Sequence, residues 1–224
     1  MRRKYIAFIG AILLLTSCGE RKLRSDIDKF ITSFSLQDAV ASYLEAGYES
    51  VRTQTGGEVE TKEEIFLSFN VKDASHPQYK KETKKYENNV LKSDVVEEIK
   101  EDDSGFIFAI TDREDMRYTL EECHDVIKTF FYKESLFDGT YNVQGMYYGD
   151  YLKQVAPGLQ DYVTIDEENQ LYIMEYSKDE KINGYNAHVE QKYSVNKLGM
   201  LEKNHFIVTR DEEKIEQNIT VFVK

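Results

Sequence analysis

The sequence is notable first for the residue types and motifs that it lacks. Tryptophan is absent, and the 224 residues include only two prolines and two cysteines. No glycine-rich phosphate loop, G-x-S-x-G nucleophile elbow, S-x-x-K motif or EF-hand loop occurs. Since no motif names a reaction, the sequence favours a binding module over an enzyme. It predicts no catalytic residue, no metal ligand and no cofactor.

Positive charge is also scarce. Acidic residues outnumber basic ones by 41 to 29, which gives a formal net charge of −12. Three of the positive charges (Arg2, Arg3 and Lys4) lie at the very start of the chain, so the remainder is more acidic still. Such a surface repels phosphate backbones. A nucleic-acid partner is therefore not expected.

The longest apolar run, "IAFIGAILLL" over residues 6–15, follows those three basic residues. It has half of the roughly 20 residues that a membrane-spanning helix needs, which is the size of a signal-peptide core. The run ends in Leu15-Thr16-Ser17-Cys18, an aliphatic residue, two small residues and a cysteine. This tetrapeptide resembles the lipobox of bacterial lipoproteins at every position.

The resemblance implies a lipoprotein signal peptide over residues 1–17, cleaved between Ser17 and Cys18. It also implies a diacylglycerol thioether on Cys18, which anchors the protein to the extracytoplasmic face of the cell membrane. Two acyl chains hold a protein on a bilayer, whereas one binds only reversibly. With Cys18 lipidated, Cys123 has no intramolecular disulfide partner. We expect residues 18–34 to be a lipidated tether, spanning about 23 Å as a flexible coil.

Residues 35–224 are predicted to form a single α+β domain. Periodicity predicts a helix over 35–51 with Ser35 as its cap, a charged helix over 74–91, and a helix from Thr119 to Phe131. The last of these opens with a capping box formed by Thr119 and Glu122.

Alternating apolar residues predict strands elsewhere. The predicted strands are residues 63–72, a hairpin over 95–111 that turns at Asp103-Ser104-Gly105, and residues 161–165, 170–177, 185–195, 200–209 and 215–224. Short connections imply antiparallel pairing. We therefore expect an α+β fold in which a strongly curved antiparallel sheet is covered by two main helices.

This order of elements on an exported lipoprotein is similar to that of the half-barrel lipoprotein carriers and their lipid-binding relatives. In that group, helices close over a curved sheet with an apolar hollow. Cystatin-like and nuclear-transport-factor-like sheets would give a similar order. No signature residue carries the similarity, so it assigns no binding residue.

The densest aromatic segment is "YNVQGMYYGDY", residues 141–151. Tyrosines supply a large contact area at low entropic cost. Large, partly polar side chains also alternate along the predicted strands at Tyr172, Met174, Tyr176, Tyr185 and Tyr193, as expected for the wall of a hollow. The candidate ligand or partner contacts are Tyr141, Tyr147, Tyr148, Tyr151, Tyr185 and Tyr193. The alternative is that these residues pack against the helix or form an ordinary sheet face.

Two polar clusters could suggest a metal site or a catalytic pair, but each has a simpler explanation. Glu121, His124 and Asp125 have helical spacing, but acidic residues in a first helical turn are expected from the helix dipole alone. Cys123 and His124 are neighbours on a helix and point about 100° apart, so they cannot form a nucleophile–base pair.

The basic segment "KKETKK", residues 80–85, would suit anionic lipid head groups or simply a solvated helix face.

These observations predict a non-enzymatic lipoprotein that binds a lipid or another apolar or amphipathic ligand. The alternative is a protein-recognition adaptor or inhibitor whose protein partner is unknown.

Overall fold

A computed structural model describes residues 24–131, 145–153, 160–182 and 184–224. The lipobox, with Ser17 and Cys18, and the candidate contact Tyr141 lie outside the described residues. Four α-helices occur in the described ranges, α1 (24–32), α2 (Leu36–Ser42), α3 (Leu120–Lys128) and α4 (149–153), together with a 3₁₀ helix (Gln160–Tyr162). None of these helices has the length and apolar character needed to cross a membrane.

The strands form most of the structure. They are β1 (Glu45–Thr55), β2 (Thr61–Asn70), β3 (Gln78–Glu87), β4 (Val90–Asp102), β5 (Gly105–Ile110), β6 (Met116–Tyr118), β7 (Val163–Asp166), β8 (Leu171–Ile182), β9 (Tyr185–Asn196), β10 (Leu201–Arg210) and β11 (Glu213–Val223). The hairpin predicted over 95–111 and the five predicted C-terminal strands are all present.

All the strands belong to one 11-stranded sheet in the order β6-β5-β4-β3-β2-β1-β11-β10-β9-β8-β7. Every neighbouring pair is antiparallel, which confirms the predicted pairing. The strands on each side follow the chain in sequence, so two meanders meet where β1 pairs with β11. At this junction Ala46 lies opposite Val223. The sheet is open, with β6 and β7 at its edges.

The core contains residues from both the helices and the sheet. Ile27 and Ile31 of α1, together with Phe34, are buried in the same cluster as Tyr172 and Val195. Their i, i+4, i+7 spacing forms one apolar helix face. The prediction of a tether over residues 18–34 is therefore wrong for residues 24–34, which pack against the domain.

The start of the domain also differs from the prediction. Ser35 caps α2 as expected, because its Oγ accepts a hydrogen bond from the Asp38 backbone N–H at 3.2 Å. The helix stops at Ser42, however, and residues 45–55 form β1. Gly47 disfavours a helix and allows close strand packing: a Cβ there would lie 2.0 Å from the Leu67 carbonyl oxygen.

The predicted charged helix over 74–91 is also wrong, since residues 78–87 form β3. Two of its lysines pair with acidic side chains on neighbouring strands, and Lys80 pairs with Glu82 on the same strand. Lys85 Nζ lies 3.1 Å from a Glu63 carboxylate oxygen on β2, and Lys81 Nζ lies 3.2 Å from one of Glu97 on β4. The basic segment is thus largely neutralised within the sheet.

The predicted start of α3 is confirmed. The Thr119 backbone N–H donates to the Glu122 carboxylate at 2.7 Å, and the Glu122 N–H donates to Thr119 Oγ1 at 3.2 Å. This reciprocal capping box fixes where α3 begins, and α3 forms one wall of the site described next.

Candidate ligand-binding site

The predicted contact tyrosines do not form a single site. Tyr148, Tyr151 and Tyr193 come together with Tyr172, and the ring centroids of Tyr148 lie 5.6 Å from Tyr193 and 6.1 Å from Tyr151. Tyr172 and Tyr193 stack at 6.4 Å and are 0% and 2% exposed. This tyrosine cluster is therefore part of the packed core and not the wall of an open hollow.

Burial controls the chemistry of the tyrosine cluster. Desolvation raises the pKa of the phenols of Tyr148, Tyr172 and Tyr193, so all three stay neutral at physiological pH. Within the described part of the chain, the hydroxyls of Tyr172 and Tyr193 have no hydrogen-bond partner. By contrast, the buried Tyr43 hydroxyl accepts a hydrogen bond from Asn196 Nδ2 at 2.7 Å.

The other two predicted contacts lie apart from this cluster. Tyr147 forms a β-bridge with Met200, and burial raises its pKa to about 12. Its ring packs on Gly199 (φ +80°), where a Cβ would lie 2.9 Å from Tyr147 Cε2. Tyr185 is 61% exposed, and its ring centroid lies 5.0 Å from the Arg210 guanidinium carbon.

An open apolar cleft with a volume of about 600 Å³ lies between α2 and α3. Val40 of α2 forms part of one wall, Leu120 and Ile127 of α3 part of the other, and Tyr43 and Phe131 complete the apolar lining. The full lining is Val40, Tyr43, Val71, Leu120, Glu121, His124, Ile127, Lys128 and Phe131. Periodicity identified each helix face separately, but it gave no signal that the two faces meet.

Besides Tyr43, three ionisable side chains, all on α3, line this α2–α3 cleft. Lys128 Nζ pairs with Asp125 Oδ1 at 2.6 Å, and His124 Nε2 donates to the Ala74 carbonyl oxygen at 2.8 Å. Glu121 has no ion-pair or hydrogen-bond partner among the described side chains. The cleft is therefore apolar inside, with one uncompensated carboxylate at its edge.

The two clusters considered from sequence carry no visible catalytic chemistry. Cys123 is buried in α3, where desolvation raises the pKa of its thiol, so the thiolate is disfavoured. His124 is engaged by the Ala74 carbonyl. In the described ranges, no group of three or more His, Cys, Asp or Glu side chains is placed to hold a metal ion.

One polar array on β8 and β9 has the residue order of a hydrolase triad. His188 Nδ1 lies 2.8 Å from Asp179 Oδ1, and its Nε2 lies 3.3 Å from Ser177 Oγ and 3.4 Å from Glu190 Oε1. Asp179 and Glu190 raise the pKa of His188, and its Nε2 is shared between the Ser177 hydroxyl and the Glu190 carboxylate. The Asp179 side chain is 87% exposed. We interpret the array as a solvated cross-strand charge cluster.

No protein-family model and no curated protein matches this sequence. A solved structure, a beta-barrel-like protein of domain of unknown function DUF1849 from Brucella abortus, is similar at 6% sequence identity. The match covers 81% of this chain and 98% of that protein, with a TM-score of 0.23. A similarity at this level carries no argument about function.

Proposed function

We propose that this protein is a lipid-anchored bacterial envelope protein that binds an apolar or amphipathic ligand in the α2–α3 cleft. The observation that carries the proposal is the cleft itself. Its volume of about 600 Å³ lies within the range of about 300 to 1,000 Å³ typical of ligand sites. Its interior is mostly apolar, and its three charged or basic side chains, Glu121, His124 and Lys128, all lie on α3, the combination expected for an amphipathic ligand.

The proposed architecture has α2 and α3 lying over one face of a strongly curved sheet. Ala39 of α2 and Ile127 of α3 belong to the same buried cluster as Leu67 and Phe69 of β2, which supports this arrangement. The cleft then lies where the two helices separate at the margin of the core.

The location proposal depends on the lipobox resemblance of Leu15 to Cys18. Metabolic labelling with an alkyne analogue of palmitate is expected to label the wild-type chain and not the Cys18→Ala variant. The unlipidated variant should also keep residues 1–17. A labelled and processed Cys18→Ala chain would contradict the lipid anchor.

A second function, recognition of a protein partner, is favoured by the openness of the cleft. Val40 and Leu120, which line the cleft, are 38% and 39% exposed. Such residues are able to contact apolar side chains of another protein. The ligand-binding function requires that a small amphiphile binds by itself, whereas recognition of a protein partner does not.

The cleft is tested with the mature chain, residues 18–224, carrying Cys18→Ser to prevent lipidation. The neutral probe N-phenyl-1-naphthylamine should gain fluorescence on binding, and Val40→Asp should weaken its binding at least about tenfold because it places a charge in an apolar wall. Val90→Asp is the matched control, since Val90 is 57% exposed and not part of the lining. Equal binding by all three proteins would reject the cleft as the site.

A further inference from the structure

We propose that the α2–α3 cleft selects amphiphiles with a cationic head group, an inference that rests on the ligand-binding function proposed above. The Lys128 ammonium is already paired with Asp125 at 2.6 Å, and the His124 ring nitrogen donates to a backbone carbonyl. Glu121 is the one lining charge without a partner in the described part of the chain. The uncompensated charge at the cleft is therefore negative.

The surroundings reinforce that sign. Glu122 lies on α3 beside Glu121, and Lys128, the basic residue in the last turn of this helix, is already paired with Asp125. The whole chain carries 41 acidic and 29 basic residues. A cleft whose unpaired charge is negative concentrates ligands of the opposite sign. An anionic head group at this edge would instead meet the Glu121 carboxylate.

The geometry assigns the two ends of the ligand. Glu121 lies in the first turn of α3, whereas Ile127, Phe131 and the already paired Lys128 lie at the other end of the cleft wall. The helix from Leu120 to Lys128 is about 12 Å long. An alkyl chain extended along α3 would contact the apolar lining toward Phe131, with its head group beside Glu121.

A purely structural role for Glu121 makes a different prediction. Acidic residues in a first turn stabilise a helix through its dipole. If that were its only role, Glu121→Gln would lower the melting temperature and leave the preference among head groups unchanged. The test therefore measures both quantities.

The experiment uses the same mature chain with Cys18→Ser and isothermal titration calorimetry at low ionic strength. The probes are decyltrimethylammonium, decanoate and neutral decyl maltoside, each below its micelle concentration. We expect the cation to bind about fivefold more tightly than decanoate. Because Glu121 is exposed, Glu121→Gln should reduce this preference about threefold, with the affinity for decyl maltoside unchanged.

Glu168→Gln is the matched control, since it removes the same charge from the exposed β7–β8 turn. If no probe binds, the proposed function itself fails. If all probes bind but decanoate binds as tightly as the cation, the head-group inference is overturned and the binding function stands. The inference is also overturned if Glu168→Gln reduces the preference as much as Glu121→Gln, or if Glu121→Gln changes only the melting temperature.

Discussion

At the residue scale, the buried tyrosines differ in what their hydroxyls contribute. The Tyr193 hydroxyl is buried with no partner in the described residues, whereas the Tyr43 hydroxyl is hydrogen-bonded to Asn196. Removing an unpartnered buried hydroxyl loses no hydrogen bond, and removing a bonded one costs about 1 kcal/mol. We expect Tyr193→Phe to leave the free energy of unfolding unchanged or higher, and Tyr43→Phe to lower it.

Urea denaturation of both variants measures these values. A larger loss for Tyr193→Phe than for Tyr43→Phe would mean that the Tyr193 hydroxyl has a partner. The sequence showed that Tyr172 and Tyr193 occupy alternating strand positions, which identified their face of the sheet. Alternation does not show whether a face borders a hollow or a filled core, since that depends on segments distant in the chain.

His188 offers a test of the surface electrostatics. Asp179, and to a smaller extent Glu190, raise its pKa above the ordinary value by favouring the imidazolium. The resulting stabilisation is fully present below the unfolded-state pKa and is lost as the pH rises through the raised folded-state pKa. An NMR titration of the His188 ring should give a raised pKa that falls in Asp179→Asn and falls less in Glu190→Gln. An equal or larger fall in Glu190→Gln would contradict this assignment.

At the scale of single elements, α3 depends on its capping box. Thr119→Ala removes the hydroxyl that accepts the Glu122 N–H and should lower the free energy of unfolding by about 1 kcal/mol. Thr119→Ser keeps the hydroxyl and is the matched control. Thermal or urea unfolding measures both, and equal losses in the two variants would show that the cap does not stabilise α3.

Strand β3 illustrates why local patterns failed for one element. The spacing of Tyr79, Tyr86 and Val90 suits a helix, and the six-residue basic segment gives no alternation of polarity. The strand is stabilised instead by partners on other strands, such as Glu97 opposite Lys81. Such partners are not visible in a sequence window of one element, so the helix caps at Ser35 and Thr119 were predicted correctly and this strand was not.

The same pair provides a prediction. Lys81 and Glu97 are about one-quarter exposed and lie directly opposite each other. Lys81→Glu places like charges on the two strands and should lower the free energy of unfolding by about 1 kcal/mol. The exchanged pair Lys81→Glu with Glu97→Lys should recover most of this loss in urea denaturation. A double variant no more stable than the single one would show that the pair contributes no charge interaction.

At the scale of the whole molecule, neighbouring strands were largely predictable because short turns join them. The contacts that complete the fold were not, since they join distant segments. The packing of α1 into the core, the meeting of α2 and α3 at the cleft, and the pairing of β1 with β11 all depend on tertiary structure. The α2–α3 cleft and the β1–β11 pairing at the centre of the sheet were therefore not predicted for the same reason: both join segments that are distant in the sequence.

The pairing of β1 with β11 also determines when the protein is able to fold. One of the first strands to be synthesised has to wait for residues 213–223 before the two halves of the sheet are joined. Contacts between segments so far apart form slowly. Under the proposed export, this delay keeps the sheet incomplete until residues 213–223 have been translocated. Its cost is an interval in which both β1 and β10 expose unpaired edges, which makes that stage of biogenesis the one most prone to aggregation.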